Sequence, residues 1–202
     1  CRQGVGDVPT GGAHDRSDCA FVHSFNEISN YSNKMITLQQ IDMYSGVWYE
    51  QASMKRGFNA EGQMDCIGTR GVYKQINKDA PVLEADTKCR HGSQTAPLTG
   101  IKGRVDCSTT PCKLTFPILP WIRAEYNILA TDFKRFSIVS AGPDFIQVYS
   151  RKPCLNPRER MALKEMVKDF GYDPNDLKDT PTECDTDPVD VMIQDAVDVL
   201  NI

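Results

Sequence analysis

The residues of this 202-residue chain best able to do covalent or metal chemistry are its eight cysteines: Cys1, Cys19, Cys66, Cys89, Cys107, Cys112, Cys154 and Cys184. An even set favours pairing. Only three histidines, His14, His23 and His91, accompany them, far apart in sequence. Cys107-x4-Cys112 is the one spacing that looks like half a zinc site, but no second close pair or neighbouring histidine completes four ligands, so no metal is expected. Disulfides place the chain in an oxidising compartment: secreted, periplasmic or a thylakoid lumen. A cysteine nucleophile is disfavoured because every thiol can be paired, and Gly-x-Ser-x-Gly is missing. Gly4-Val5-Gly6 and Gly11-Gly12 lack the Lys-Ser/Thr ending of a phosphate loop. Glu50 is the best candidate for a general acid or base, and the plainer reading beside it is a structural carboxylate held by its neighbours. No catalytic residue is therefore expected.

The elements that must position these groups read mainly as strands. Tyr44-Ser45-Gly46-Val47-Trp48-Tyr49-Glu50-Gln51-Ala52 sets a glycine two residues before a tryptophan at the head of an alternating run. Period two puts Trp48, Glu50, Ala52 and Met54 on one face and Val47, Tyr49, Gln51 and Ser53 on the other. Strand-like segments then follow at 47–54, 64–76, 82–90, 98–106, 112–117, 125–131, 135–141 and 145–151. Thr131-Asp132-Phe133 turns between two apolar runs, and the last strand ends at Arg151. Cys107 and Cys112 suit a clip across one strand-to-strand turn.

After Arg151 the period changes. Asn156 before Pro157, Glu159 three residues on and Gly171 bracket a helix over 157–170, with Leu163, Met166, Val167 and Phe170 as its apolar stripe. Residues 1–40, rich in Gly, Asp, Ser and Asn, read as an irregular N-terminal arm, 41–186 as the folded domain, and 187–202 as an acidic amphipathic helical tail. A net charge of −4 excludes nucleic acid as a partner, and no apolar run of about 18 residues offers a membrane span. No signal or transit peptide is apparent, and a start at Cys1 is expected of a mature form.

The order Gly46-x-Trp48, then Thr131-Asp132-Phe133, then a strand-terminal Arg151, resembles the three signature regions of the lipocalin family. The resemblance implies an all-β fold, an eight-stranded up-and-down antiparallel barrel with one C-terminal helix on its wall. It also implies that Arg151 lies over Trp48 at the closed end, making Gly46, Trp48, Thr131, Asp132 and Arg151 architecture. Family usage further implies a Cys66–Cys184 disulfide, which leaves Cys1, Cys19, Cys89 and Cys154 without an assigned partner. The stretches Ala52-Ser53-Met54-Lys55-Arg56-Gly57-Phe58, Asp65-Cys66, Gly71-Val72-Tyr73, Phe170-Gly171-Tyr172-Asp173-Pro174 and Lys178-Asp179-Thr180-Pro181 look like the plastid lipocalins of plants and algae.

From that resemblance follows a non-enzymatic carrier or scavenger of a small hydrophobic molecule in the thylakoid lumen, with a secreted location as the alternative. The guest would be a fatty acid, a peroxidised lipid or a carotenoid, and the role would be photoprotection or limiting lipid peroxidation. No cofactor is required beyond such a bound lipid or pigment. If Arg151 marks the inward face, period two turns Tyr149, Gln147 and Phe145 into the cavity. Met54 and, on the loop that acts as a lid in lipocalins, Phe58 join them, with Tyr126 from the sixth strand. Two other classes stand beside the carrier: a docking subunit of a photosystem or antenna complex through the arm or the acidic tail, and a de-epoxidase-like lipocalin enzyme.

Overall fold

A computed structural model describes residues 29–30, 34–54, 65–182 and 184. The expectations for Phe58, for most of the N-terminal arm and for the acidic tail lie outside these residues. Element order is β1 (Ser29–Asn30), α1 (Leu38–Tyr44), β2 (Gly46–Met54), β3 (Cys66–Asn77), β4 (Val82–His91), β5 (Leu98–Asp106), β6 (Cys112–Phe116), β7 (Leu119–Thr131), β8 (Phe136–Ser140) and β9 (Ile146–Ser150). Then come α2 (Pro157–Glu165), continued by a 3-10 turn over Met166–Phe170, and β10 (Leu177–Asp179). Strands β2 to β9 pair antiparallel with their sequence neighbours, and β9 pairs back onto β2, which closes an eight-stranded barrel. Closure leaves no open edge in the ring. β1 adds to β7 and β10 to β2. No described helix is long and apolar enough to cross a membrane.

The strands form where turn residues punctuate period-two runs, with one difference. The sixth barrel strand starts at Leu119 rather than near 125, because Phe116 pairs with Leu119 across a tight turn at Pro117-Ile118. Two prolines in six residues look like a loop in sequence, yet here they cap a hairpin. Its tip leaves Ile118 and Trp121 71% and 74% exposed.

α1 was not among the expected elements. Thr37 and Gln40 make a reciprocal capping box at its start, and Ile41 and Tyr44 are its buried face. α2 begins at the expected box, with the Asn156 side chain accepting from the Glu159 N–H at 2.8 Å and Pro157 in the first turn. Gly171 ends the helical run at φ +84°, a conformation that favours glycine.

Two cores result. Inside the barrel, Trp48, Tyr73, Leu83, Val105, Tyr126 and Tyr149 pack against Ile41 and Tyr44 of α1, which plugs one end. Outside, Leu163 and Val167 cover Ala52, Phe136, Ile138, Ile146 and Val148.

The disulfides correct one expectation. Cys66 is bonded not to Cys184 but to Cys89 on the adjacent strand, with Cα atoms 5.4 Å apart, and Cys184 is bonded to Cys154 at 5.7 Å. Register decides this. Cys66 pairs with His91, so Cys89 lies one diagonal step away on β4, while β10, lying along β2, delivers Cys184 to the segment that leaves β9. Cys107 and Cys112 form the clip between β5 and β6.

Candidate functional site: the floor of the barrel

The closed end is built around Arg151. Its guanidinium carbon lies 3.6 Å from the centroid of Trp48, a cation–π contact shielded from water on one side. Nη1 donates to the Val47 carbonyl at 2.8 Å, and Nη2 reaches the carbonyls of Met43, Tyr44 and Ser45 at 2.9–3.2 Å. These are largely the carbonyls that the end of α1 leaves unpaired, so one side chain ties the plug to the barrel. Gly46 is required here. Its φ is +106°, and a Cβ would sit 3.0 Å from Arg151 Nη1.

Beside Arg151, the Thr131 hydroxyl donates to the Phe136 carbonyl at 2.7 Å. Asp132 accepts the backbone N–H groups of Lys134, Arg135 and Phe136 together with the Arg135 side chain. Burial pushes the Asp132 carboxyl up, but the hydrogen bonds from Arg135, Phe136 and Lys134 outweigh it and hold the group below the usual carboxylate range.

Above this plug lies a buried polar floor. Glu50, 1% exposed, accepts from Ser53 Oγ at 2.7 Å, from Thr180 Oγ1 at 2.5 Å and from Gln147 Nε2 at 2.7 Å. Tyr149 donates to Gln147 Oε1 at 2.8 Å and is hydrogen-bonded to Tyr73. Tyr126 donates to Tyr73 at 2.8 Å, and Tyr44 bridges Tyr126 at 3.3 Å and Ser137 at 2.9 Å. One connected network therefore joins five strands, α1 and the segment after β10. Burial pushes all four phenols above their ordinary ionisation range, so each remains a neutral hydroxyl near neutral pH.

Thr180 enters this network because the barrel is splayed. β3 pairs only with Gly46–Tyr49 of β2, and β10 takes the rest of that edge at Ala52–Met54. The Thr180 N–H donates to the Gln51 carbonyl, and the Gly68 N–H donates to the Pro181 carbonyl at 2.8 Å. The C-terminal segment thus fills the gap between β2 and β3.

The expected site residues divide accordingly. Tyr126, Gln147 and Tyr149 meet on the floor. Phe145, half-buried, lies in the β8–β9 turn at the opposite end, on the inward side by alternation. Met54 does not face the interior. The register shifts between Glu50 and Ala52, and that bulge turns Ser53 inward onto Glu50 while Ala52 and Met54 pack under α2. Ser53, Tyr44, Tyr73 and Thr180 are floor residues that sequence reasoning missed. Only Tyr73 carried a signal, since it alternates with Gly71 on β3.

Two other features lie apart from this site. Cys66, Cys89 and His91 cluster closely, but the two sulfurs are bonded to each other and Nδ1 of His91 meets Asp65 at 2.9 Å. A cleft of about 570 Å³ runs between α2 and Pro174–Asp179 outside the barrel wall, where Lys164 is tied to Asp179 at 2.8 Å.

Comparison with known proteins agrees with this geometry. The family model described as a lipocalin-like domain matches residues 39–182. A chloroplastic lipocalin of Arabidopsis thaliana is 40% identical over 163 residues, covering 70% of this chain, which spans 46% of that relative's length. Apocrustacyanin C1 superposes with a TM-score of 0.58 at 14% identity over 82% of this chain and 96% of its own. H1 crustacyanin from the lobster Homarus americanus gives 0.56 at 14% identity over 81% and 94%. At that identity the structural likeness bears on fold alone. The match over most of the folded region, with the plastid relative beside it, places the chain in the lipocalin family.

Proposed function

We propose that this chain is a non-enzymatic carrier or scavenger of a small hydrophobic molecule in the chloroplast, within the thylakoid lumen, where it limits lipid peroxidation or supports photoprotection. The observation that carries the reading is the barrel interior. Its wall is apolar above a floor of hydroxyls and one carboxylate, the make-up of a site that holds an apolar guest and orients it with a few polar groups. The similarity to a chloroplastic lipocalin supports the compartment. A fatty acid, a peroxidised lipid and a carotenoid all suit such an interior, and burial of their apolar surface, at roughly 25 cal/mol per Å², drives binding. The three donors around Glu50 favour an orienting role over proton transfer, which supports the carrier over a de-epoxidase-like enzyme.

The docking alternative draws on the exposed Ile118 and Trp121 at the β6–β7 tip, which suit contact with a photosystem or antenna complex. Native mass spectrometry of protein isolated from its own membranes, before and after organic extraction, separates the two. The carrier yields a discrete extractable mass of about lipid or pigment size. An empty barrel that travels stoichiometrically with a pigment–protein complex contradicts it.

A further inference from the structure

We infer that Cys66, Cys89 and His91, with Asp65 behind the imidazole, form a zinc site that is shut while the two sulfurs are bonded to each other and opens when a dithiol reduces them. It is independent of the carrier reading, since its ligand is a thiophilic metal ion and not the guest. Gly71 of β3 pairs with Trp48 at the closed end, and Cys66 begins the same strand toward the opposite end, so the site lies away from the plug.

Register brings the ligands together. Ala85, Thr87, Cys89 and His91 alternate along one face of β4, the face on which Ala85 joins the inner core, and Cys66 pairs directly with His91. The two sulfurs and a ring nitrogen of His91 lie within 4.8 Å of one another. Sγ of Cys89 is 3.6 Å from Nε2 of His91. Tetrahedral zinc, with bonds of about 2.3 Å to sulfur and about 2.1 Å to nitrogen, holds two such ligand atoms about 3.6 Å apart, so this pair already has the separation the metal requires.

Asp65 prepares the imidazole. Its carboxylate meets Nδ1 of His91 at 2.9 Å, and an ionised carboxylate only accepts, so Nδ1 carries the proton and the Nε2 lone pair faces the Cys89 sulfur. A carboxylate behind a histidine is the support that zinc-bound imidazoles use. The sulfurs are buried, while the side chains of His91 and Asp65 are 43% and 60% exposed, which leaves water a route to the fourth position. His91 is the one histidine among the described residues, so Cys107–Cys112 and Cys154–Cys184 have no such partner there.

Opening the site is a two-electron exchange. A dithiol gives two electrons and two protons, becoming a disulfide itself, and Cys66 and Cys89 become thiols. Zinc then displaces their protons to solvent and binds both thiolates with Nε2. In an oxidising compartment the pair stays bonded and the sulfurs hold no metal.

Zinc itself is the probe. The full chain, oxidised or reduced with excess dithiothreitol that is then removed without oxygen, is titrated at about pH 7 against a chromophoric zinc chelator, and His91→Ala and Asp65→Asn are treated alike. The reduced wild type should bind zinc at least about a hundredfold more tightly than the oxidised form. H91A, which keeps every thiol, should weaken the reduced form at least about tenfold, and D65N about threefold to tenfold. Equal affinity of the oxidised and reduced wild type, no binding by the reduced chain, or an affinity unchanged in H91A overturns the inference. Should the reduced chain unfold without metal, circular dichroism decides: zinc should restore the sheet signal in the wild type and not in H91A, and recovery in both or in neither overturns the site.

Discussion

The floor inside the barrel and the wall beneath α2 are built from the same strands, yet they differ in kind. On β9, Gln147 and Tyr149 turn inward to a hydrogen-bonded network, while Ile146 and Val148 turn outward to Leu163 and Val167. On β8, Ser137 binds Tyr44 inside, while Ile138 packs outside. The outer core is almost wholly apolar and fastens the helix. The inner core carries hydroxyls, an amide and a carboxylate that a purely structural barrel has no need to bury. The apolar core that fastens the helix thus lies outside and the buried polar groups lie inside, separated by one thickness of sheet.

That separation can be broken from the outside first. Leu163 is fully buried, and Leu163→Ala should lower unfolding free energy by about 2–5 kcal/mol in urea denaturation while leaving guest affinity within about twofold. A matching loss of affinity would mean that the two faces are coupled. From the inside, Tyr149→Phe removes the donor to Gln147 Oε1 and keeps the ring in the core. It should cost about 1–2 kcal/mol of stability and weaken a guest that reaches the floor, read by denaturation and fluorescence titration together. Truncating Tyr149 to alanine is a poorer probe, because the ring is 1% exposed and its loss would confound binding with folding.

The smallest effect lies at the rim of the plug. The Asp132 carboxyl titrates below its unfolded value, so its contribution to stability is complete above about pH 4 and is lost as the pH falls through the lower, folded value. Asp132→Asn should flatten the stability profile below about pH 4 relative to the wild type. An identical acid profile in the two proteins would remove Asp132 as a source of acid sensitivity.

Much of this arrangement is legible in sequence because it depends on local chemistry. Pro157 with Asn156 and Glu159 fixes the start of α2, and the punctuation between apolar runs places β2 to β9 within a few residues, the start of β7 excepted. What escapes depends on register and on contacts distant along the chain. The bulge after Glu50 adds one residue, has no signature in composition and reverses the facing of Met54. Cys66 finds Cys89 because β3 and β4 pair in one register and not another. Thr180 meets Glu50 across 130 residues, a contact no local pattern encodes. α1 did carry a local mark, the Thr37 and Gln40 capping box, but seven residues are too few to display a helical period.

The central claim is that the guest occupies the inside of the barrel above the Glu50 floor. Methyl-resolved NMR titration with retinol tests it most directly, because inner and outer methyl groups report separately. The account predicts shifts at Ala85, Ile101, Val105 and Leu114, with Leu163, Val167 and Val148 unmoved. Shifts confined to the methyl groups beneath α2, or to Ile118 at the hairpin tip, would contradict it.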